Sequence, residues 1–448
     1  MLYLLLFFII FFIIIRNEHL FHCIFIKLPQ IIYYLFTVDY NYLYYQYDYI
    51  KGNSLELFLH THRKVISPFK KKLIKNNVNF MNDPSILENK NSLSLFLNML
   101  TTPHDLLGNW KSDSIFRLNY KDRGKNNKLK KLYMYALTKD KNKLYRPKIY
   151  KYLDTNFNTN LSSSNLLDFC LKSTIDLTYI LHFNKLPDSI DTEYTMDFIN
   201  SITNSFKEFS ILTRFYYIYK LKYKYNRIKY NIQLAIEKNE NCIVKYWNDI
   251  GLDKEYIYIE FIHNIIGMTI NWFNLMYNYI LGLSNKTIPF YNNKDDLNKY
   301  MFEVIRFTCP AKFISSSVKN KNYNIIHNLY KISRNENNYD LDPHIFNINH
   351  FNDYKNNMSK CPFSNNNKLY KTKKDSLVSC NNSILEKKNY IHFGVGYRRC
   401  PGELLSMTFL EELITIINKN KHKIKIELNK SNKTHFMFSK LETNYTFL

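Results

Sequence analysis

The sequence predicts a mainly α-helical fold with a small β portion. From about residue 55 onward, apolar residues recur at helical spacing between polar loops, and no regular alternation of strands and helices indicates a doubly wound sheet. The chain has 448 residues, 46% of them hydrophobic, which is enough for a sizeable core. Residues 256–283 form a long apolar segment that predicts a buried helix, and polar residues such as Glu260 and Asn264 argue against a membrane span there.

The N-terminus begins with a continuous apolar run, MLYLLLFFIIFFIII, which ends at Arg16. As a helix it reaches about 22 Å, a little short of the ~30 Å hydrocarbon core of a bilayer. No basic segment precedes it and no small-residue cleavage site follows, which favours an uncleaved anchor. Because Arg16 and Lys27 come after the run, we expect the main body to face the cytosol.

These features predict three regions. They are a membrane anchor over residues 1–20, a linker or membrane-surface segment over 21–54, and a folded domain over 55–448. The expected location is an endoplasmic-reticulum-like membrane, with a single-pass anchor and a cytosol-facing domain.

The formal net charge of +24 raises the question of a nucleic-acid partner. No nucleic-acid-binding motif accompanies the charge, and the lysines are spread along the whole chain. We therefore expect solvated basic faces and no nucleic-acid binding. Attraction to anionic lipid or to an acidic redox partner is a further interpretation of the same charge.

The cysteines argue against a disulfide framework and against a structural zinc site. There are seven, an odd number, and no two are spaced as a CxxC pair. This usage fits a reducing compartment. The cysteines are Cys23, Cys170, Cys242, Cys309, Cys361, Cys380 and Cys400.

Cys400 lies in an unusual setting, the stretch FGVGYRRCPGE over residues 393–403. Three of the protein's nine glycines fall inside it, which indicates a backbone that turns tightly or approaches another group closely. Two arginines directly precede the cysteine, and an apolar pattern of helical spacing follows it. A basic setting next to a helix N-terminus favours the thiolate form of a cysteine.

This stretch resembles the haem-binding signature of the cytochromes P-450, FxxGxRxCxG. The fixed positions are Phe393, Gly396, Arg398, Cys400 and Gly402. The resemblance implies that Cys400 is the axial ligand of the iron of haem b, iron protoporphyrin IX. It also implies that Arg398 pairs with a haem propionate and that Phe393 shields the sulfur. Gly394, Gly396 and Gly402 would let the backbone close on the ring.

Two further motifs resemble this family. Glu303 and Arg306, in FEVIRFTCP, match its ExxR pair, and LDPHIFNINHF over residues 341–351 resembles its meander. His350 stands where the family has an arginine that completes an ion-paired structural triad. Because histidine is only partly charged near neutral pH, the resemblance predicts a weaker and more pH-sensitive tether.

A weaker resemblance covers HRKVISPF over residues 62–69. It is similar to the family helix that presents an arginine to a haem propionate, which implies that Arg63 makes this contact. The segment before this helix is short, and the stretch from Arg306 to Asp342 lacks the family's strand motif. We therefore expect a cytochrome P-450-like fold that is shortened on its N-terminal side.

The helix expected over the haem departs from the family's AGxDTT pattern. Residues 266–271 read IGMTIN, which retains Gly267 but places Thr269 at the acid position and Asn271 after Ile270. A glycine inside a helix allows a kink that makes room for a ligand. Thr269 and Asn271 are the best candidates for distal proton handling, and the alternative is that both bond to carbonyls of their own helix.

The function that the resemblance implies is a haem-thiolate monooxygenase. It would oxidise an apolar small molecule with O₂ and with electrons from a reductase. The missing acid–alcohol pair leaves two alternatives open. One is a related enzyme that rearranges or dehydrates peroxides without a reductase, and the other is a haem-binding relative without catalysis.

Overall fold

The computed structural model describes the following parts of the chain: residues 49–52, 131–157, 160–162, 165–205, 226–238, 240–292, 295–311, 313–317, 324–336, 339–351, 392–394, 400–421 and 425–427. The anchor predicted over residues 1–20 lies outside these residues, as do Arg63, Gly396 and Arg398.

Helices dominate the described residues before the central helix. Strand β1 (Tyr49–Gly52) comes first, followed by helix α1 (Lys139–Asn156) and strand β2 (Asn160–Ser162). Helices α2 (Leu166–Phe183), α3 (Ser189–Ser205) and α4 (Ile243–Asp249) come next. Residues 131–135 and 226–237 are also helical.

Local signals explain where these helices begin and end. The side chain of Thr138 accepts a hydrogen bond from the backbone N–H of Lys141 and so caps the first turn of α1. Helix α2 ends at Asn184, which adopts a left-handed conformation with φ of 54°.

The long apolar segment forms the central helix, as predicted. It runs through α5 (Lys254–Asn264), a π-helical turn (Ile265–Ile270) and α6 (Asn271–Ser284). The π-turn contains Gly267 and interrupts the regular helix at the place where sequence analysis allows a kink.

The C-terminal part of the described chain begins with α7 (Leu297–Thr308), which Asp296 caps through the N–H groups of Asn298 and Lys299. Strands β3 (Phe313–Ser317) and β4 (Asn324–Asn328) follow. Short helix α8 (Leu329–Ile332) and a 3₁₀ turn (Ile348–Phe351) come before α9 (Glu403–Asn420) and strand β5 (Lys425–Glu427).

The strands form two small sheets. In the first, β4 pairs in parallel with β1 and antiparallel with β3, so the strand order is β1-β4-β3. In the second, β2 pairs in parallel with β5. Strand β1 lies in the segment predicted as a linker, residues 21–54, but it pairs with β4, which lies in the predicted folded domain. Strands β3 and β4 form between Arg306 and Asp342 without the family's strand motif, with Ile314 opposite His327 and Ser315 opposite Ile326 in the antiparallel register.

The core lies between the central helix and the helices around it. Helix α2 packs against the π-turn and α6, and α1 packs against both α9 and α2. Helix α6 also contacts α7 and α9, which brings the residue just before α9, Gly402, and the ExxR motif to the same central element. Within the described residues, we find no helix both long and apolar enough to cross a bilayer.

Candidate haem-thiolate site

The cysteine loop closes on itself just before α9. The backbone N–H of Cys400 donates to the carbonyl oxygen of Phe393 at 2.6 Å. Gly394 follows Phe393 with φ of 72°, a left-handed conformation that glycine adopts without steric cost. Phe393 packs against the hydrophobic core and so anchors the first arm of the loop.

Cys400 differs from the other described cysteines in its exposure. Cys170, Cys242 and Cys309 are buried, whereas Cys400 is only partly buried. Burial raises the pKa of the Cys170 thiol well above its ordinary value, and burial is also the main cause of the raised pKa of Cys242. Those two thiols therefore stay protonated in the core, and Cys400 is the described cysteine whose sulfur a ligand could approach.

The start of α9 is held against the central helix by an indole. The Trp272 Nε1–H group donates to the hydroxyl oxygen of Ser406 at 2.9 Å. The Trp272 ring also stacks on Phe409, with ring centroids 4.3 Å apart and an interplanar angle of 1°. These contacts fix the helix that carries Cys400 at its N-terminal end relative to α6.

Asn271, the residue that follows the π-turn, bonds back to the glycine of that turn. The Asn271 Nδ2–H group donates to the carbonyl oxygen of Gly267 at 2.9 Å, four residues earlier. Both residues are half-buried, whereas Met268, Thr269 and Ile270 between them are buried. Asn271 therefore makes the local bond that sequence analysis named as the alternative, and it also lies on the partly accessible face of the turn.

Thr269, the other candidate for distal proton handling, contacts a neighbouring helix. Its hydroxyl lies 2.7 Å from the hydroxyl of Thr178 on α2, and its side chain is fully buried. The Thr269 side chain thus holds the π-turn against α2. Because it is buried, its hydroxyl has no other hydrogen-bond partner among the described residues. Thr269 is thus bonded to a neighbouring helix, whereas Asn271 is bonded within its own turn.

The ExxR motif forms a buried ion pair on α7. The Arg306 Nε and Nη2 groups donate to the two carboxylate oxygens of Glu303, each at 2.7 Å. The remaining guanidinium N–H groups donate to the carbonyl oxygens of Ser333, Pro343 and Ile345. Arg306 therefore ties the loop after β4 to α7.

His350 joins this cluster, as its sequence position predicts. Its Nδ1 lies 3.0 Å from Glu303 Oε1, which also accepts from the backbone N–H of Asn347 at 2.7 Å. The Nε2 atom of His350 is buried without a hydrogen-bond partner among the described residues. The Tyr339 ring packs edge-on against the imidazole, with centroids 5.2 Å apart.

The cluster also borders the start of the cysteine loop. His392 is buried, and its pKa is lowered to about 3, chiefly by burial and then by the nearby charges of Arg306 and Arg334. Helix α7, which carries Glu303 and Arg306, also contacts α9, the helix that follows the cysteine loop. The structure thus brings the ExxR cluster and the cysteine loop together.

A buried polar group just before the π-turn could not be anticipated from the sequence. Tyr133 donates through its hydroxyl to Asn264, which contacts His182, and all three are buried. The polar positions inside the apolar segment 256–283 were a signal for Asn264, but no sequence pattern connects it to Tyr133 or His182.

The donor set of the cysteine loop fits a haem. A thiolate sulfur is an axial ligand of haem iron. The sulfur is partly accessible, and a Cβ atom at Gly402 would lie 3.8 Å from it, so glycine keeps this side of the sulfur clear. Across the described residues, no cluster of histidine, cysteine and acidic side chains provides a separate metal site.

Comparison with known proteins agrees with this geometry. Residues 293–447 match the cytochrome P-450 family model, a range that holds the ExxR cluster and the cysteine loop. This C-terminal part of the chain, about a third of its length, is similar to the cytochromes P-450. The similarity agrees with a haem cofactor and with haem-thiolate oxidation chemistry.

Solved cytochrome P-450 structures share the fold. An unusual cytochrome P-450-like monooxygenase of microbial secondary metabolism aligns with a TM-score of 0.52 at 12% identity, over 75% of this chain and 83% of that chain. P-450 BioI, bound to an acyl carrier protein carrying hexadec-9Z-enoic acid, aligns with a TM-score of 0.51 at 15% identity, over 72% and 78%. Open cytochrome P-450 Eryk from S. erythraea aligns with a TM-score of 0.50 at 12% identity, over 71% and 77%. We find no match among curated proteins.

Proposed function

We propose that this protein is a cytochrome P-450 monooxygenase that inserts oxygen from O₂ into an apolar small molecule. The observation that carries the proposal is the half-buried Cys400 in a closed glycine loop before α9, inside the residues that match the family. Haem b, bound through the Cys400 thiolate, would supply the oxygen chemistry. The protein supplies the ligand, the packing and the proton handling.

The residues around the sulfur would hold the group in place. Phe393 anchors the loop in the core, and Gly394 and Gly402 keep backbone and helix close to the sulfur. Arg398 and Arg63 are proposed as partners of the two propionates, and Gly396 completes the loop. Glu303, Arg306 and His350 have a structural role, since they are buried and bonded to one another and to backbone.

Asn271 is the candidate for handling protons on the distal side. Its amide is oriented by the Gly267 carbonyl oxygen, and its half-buried position allows a water molecule to reach it. An amide does not itself give up a proton near neutral pH, but it can orient an ordered water that delivers one. Thr269 cannot share this task while its hydroxyl is bonded to Thr178.

The partners follow from the same reaction. A monooxygenase of this kind needs electrons, so we propose an electron-donating reductase that the basic surface would attract. The apolar start of the chain supports a single-pass anchor at an endoplasmic-reticulum-like membrane with the domain facing the cytosol. An apolar substrate would be concentrated in that membrane.

The first test is the absorption spectrum of the reduced protein under carbon monoxide. Wild type should show the strongly red-shifted Soret band of a thiolate-ligated haem. Cys400→Ala should lose that band, and Cys170→Ala should keep it, because Cys170 is buried in the core. A Soret band at the position of neutral ligands in wild type would contradict the assignment of Cys400, and folded protein without haem would contradict the function.

The peroxide-rearranging reaction is the second candidate, and Asn271 is the observation that favours it. An amide at this position could bind a peroxide oxygen, and the described part of the distal helix has no acid–alcohol pair at the usual place. Turnover of a fatty-acid hydroperoxide without an electron donor would favour this reaction. Absolute dependence on a reductase would exclude it, and haem uptake without any turnover would indicate a non-catalytic relative.

A further inference from the structure

A continuous chain of hydrogen bonds connects three separate elements just before the π-turn. The Tyr133 hydroxyl contacts Asn264 Oδ1 at 2.5 Å, and Asn264 Nδ2 lies 3.2 Å from His182 Nε2. The other imidazole nitrogen, His182 Nδ1, lies 2.7 Å from the Thr178 carbonyl oxygen. Tyr133 belongs to the helical segment 131–135, His182 to α2, and Asn264 is the last residue of α5.

Each bond in this chain has only one possible direction. A carbonyl oxygen only accepts, so His182 Nδ1 carries the proton that it donates to Thr178. Burial lowers the pKa of His182 to about 4, so the ring is neutral at neutral pH and its Nε2 accepts from the Asn264 amide nitrogen. The amide oxygen of Asn264 then faces Tyr133 and accepts from its hydroxyl.

A second set of contacts fixes the backbone of the same junction. The Trp247 Nε1–H group donates to the Tyr133 carbonyl oxygen at 2.9 Å, and the two rings pack with centroids 4.9 Å apart. Both side chains are buried. The junction therefore joins α4, α2, α5 and the segment 131–135 at the residue that precedes the π-turn.

The junction and the cysteine site are connected through the central helix. Burial raises the pKa of Tyr133 well above its ordinary value, and the charges of Glu260 and of Cys400 raise it further. Glu260 is four residues before Asn264 on the same helix face, which agrees with its effect on Tyr133. The geometric link to the cysteine runs through the π-turn: Asn264 precedes this turn, and Trp272 just after it donates to Ser406 near the start of α9, the helix that Cys400 precedes.

We propose that Tyr133 is a positioning residue for the Cys400 site, which acts through Asn264, oriented by His182, to set the place of the π-turn relative to the cysteine. This rests on the proposed function, since the π-turn and Cys400 are taken to face the same haem. The role is positioning and not proton transfer, because an amide in the middle of the chain gives each bond a fixed direction. Without the Tyr133 hydroxyl, Asn264 loses its orientation and the turn shifts over the cysteine.

The test compares two buried tyrosines that each lose one hydroxyl hydrogen bond. Tyr133→Phe keeps the ring contact with Trp247 and removes the bond to Asn264. Tyr145→Phe is the matched control, because the Tyr145 hydroxyl donates to the Ala136 carbonyl oxygen at 2.8 Å in the same part of the fold. His182→Phe removes the acceptor for Asn264.

Two readouts on the full chain separate positioning from general destabilisation. The first is the ferric Soret position and the reduction potential of the haem-loaded protein. The second is the alkylation rate of Cys400 by iodoacetamide in haem-free protein, resolved by mass spectrometry. We expect Tyr133→Phe and His182→Phe to shift the Soret position and the reduction potential, and to change the alkylation rate of Cys400 about five-fold. A five-fold ratio corresponds to the net free energy of about one buried hydrogen bond. Their effects should not add, because both act through Asn264.

The outcomes are distinct. If Tyr133→Phe and Tyr145→Phe behave alike in both readouts, the positioning role is refuted. If wild type takes up no haem, the proposed function fails, and the alkylation rates still decide whether Tyr133 positions the cysteine. Equal unfolding midpoints of the two phenylalanine variants would confirm that the comparison is matched.

Discussion

Replacing Arg306 by lysine keeps the positive charge but should still destabilise the protein strongly. All five guanidinium N–H groups of Arg306 have acceptors: two on Glu303 and one each on the carbonyl oxygens of Ser333, Pro343 and Ile345. A lysine ammonium has three N–H groups and a single donor atom, so at least two of these acceptors lose their partner.

The magnitude follows from burial. Arg306 and Glu303 are both fully buried, so water cannot replace the missing donors. Each buried acceptor without a partner costs about 1–3 kcal/mol, which gives about 2–6 kcal/mol for Arg306→Lys. The carbonyl oxygens of Pro343 and Ile345 lie in the loop before His350, so this loop should loosen first.

Urea unfolding of the purified chain, followed by far-ultraviolet circular dichroism, measures this loss. Arg146→Lys is the matched control, because the Arg146 side chain is 44% exposed and water can replace its bonds to the partly exposed Glu411. There the same substitution should cost about 1 kcal/mol or less. If both variants lose the same free energy of unfolding, the argument from the buried acceptors is wrong.

Three further predictions follow from the site. Burial lowers the pKa of His182 from 6.5 to about 4, so as pH falls the unfolded state binds a proton before the folded state does. The free energy of unfolding that depends on neutral His182 is therefore complete above pH 6.5 and declines toward about pH 4. The decline from pH 7 to about pH 5 should be about 2 kcal/mol, and unfolding curves of His182→Phe should lack it. Asn271→Ala should lower the oxidation rate about 10²-fold. Thr269→Val should lower only the free energy of unfolding, by about 1 kcal/mol, and leave the oxidation rate unchanged. Equal oxidation rates in the two variants would contradict the role of Asn271 in proton handling. His350→Ala should cost about 1.5–3 kcal/mol in urea unfolding, the range for a hydrogen bond to a charged group, and no loss would show that Glu303 does not need it.

Part of the site was predictable because its chemistry needs particular residue types at fixed spacing. Glu303 and Arg306 lie one helical turn apart, so their pairing follows from the sequence alone. The place of His350 was expected from the order of the motifs, and in the structure its Nδ1 lies 3.0 Å from Glu303 Oε1. The turn at Gly394 was likewise indicated by the clustering of glycines in a chain that has only nine.

Other parts depended on contacts that sequence spacing does not encode. Thr269 and Thr178 meet across 91 positions of the chain, so the hydroxyl of Thr269 looked available in the sequence although it is bonded in the fold. The pairing of the three-stranded sheet could not be predicted for a similar reason. Strand β1 finds its partner β4 more than 270 residues later, and short Asn- and Ile-rich strands carry little pattern of their own.

The distal helix shows how its polar side chains are divided between packing and chemistry. Asn264 is bonded to Tyr133 and His182, and Thr269 is bonded to Thr178, so both serve contacts between helices. Asn271 is bonded only within its own turn and is the half-buried member of this set. If the protein activates O₂, proton delivery on the described part of this helix therefore depends on Asn271 and the water it can hold. An amide has no proton to give up near neutral pH, so its contribution is to orient that water, and Asn271→Asp, which adds a titratable group, should make the oxidation rate newly dependent on pH.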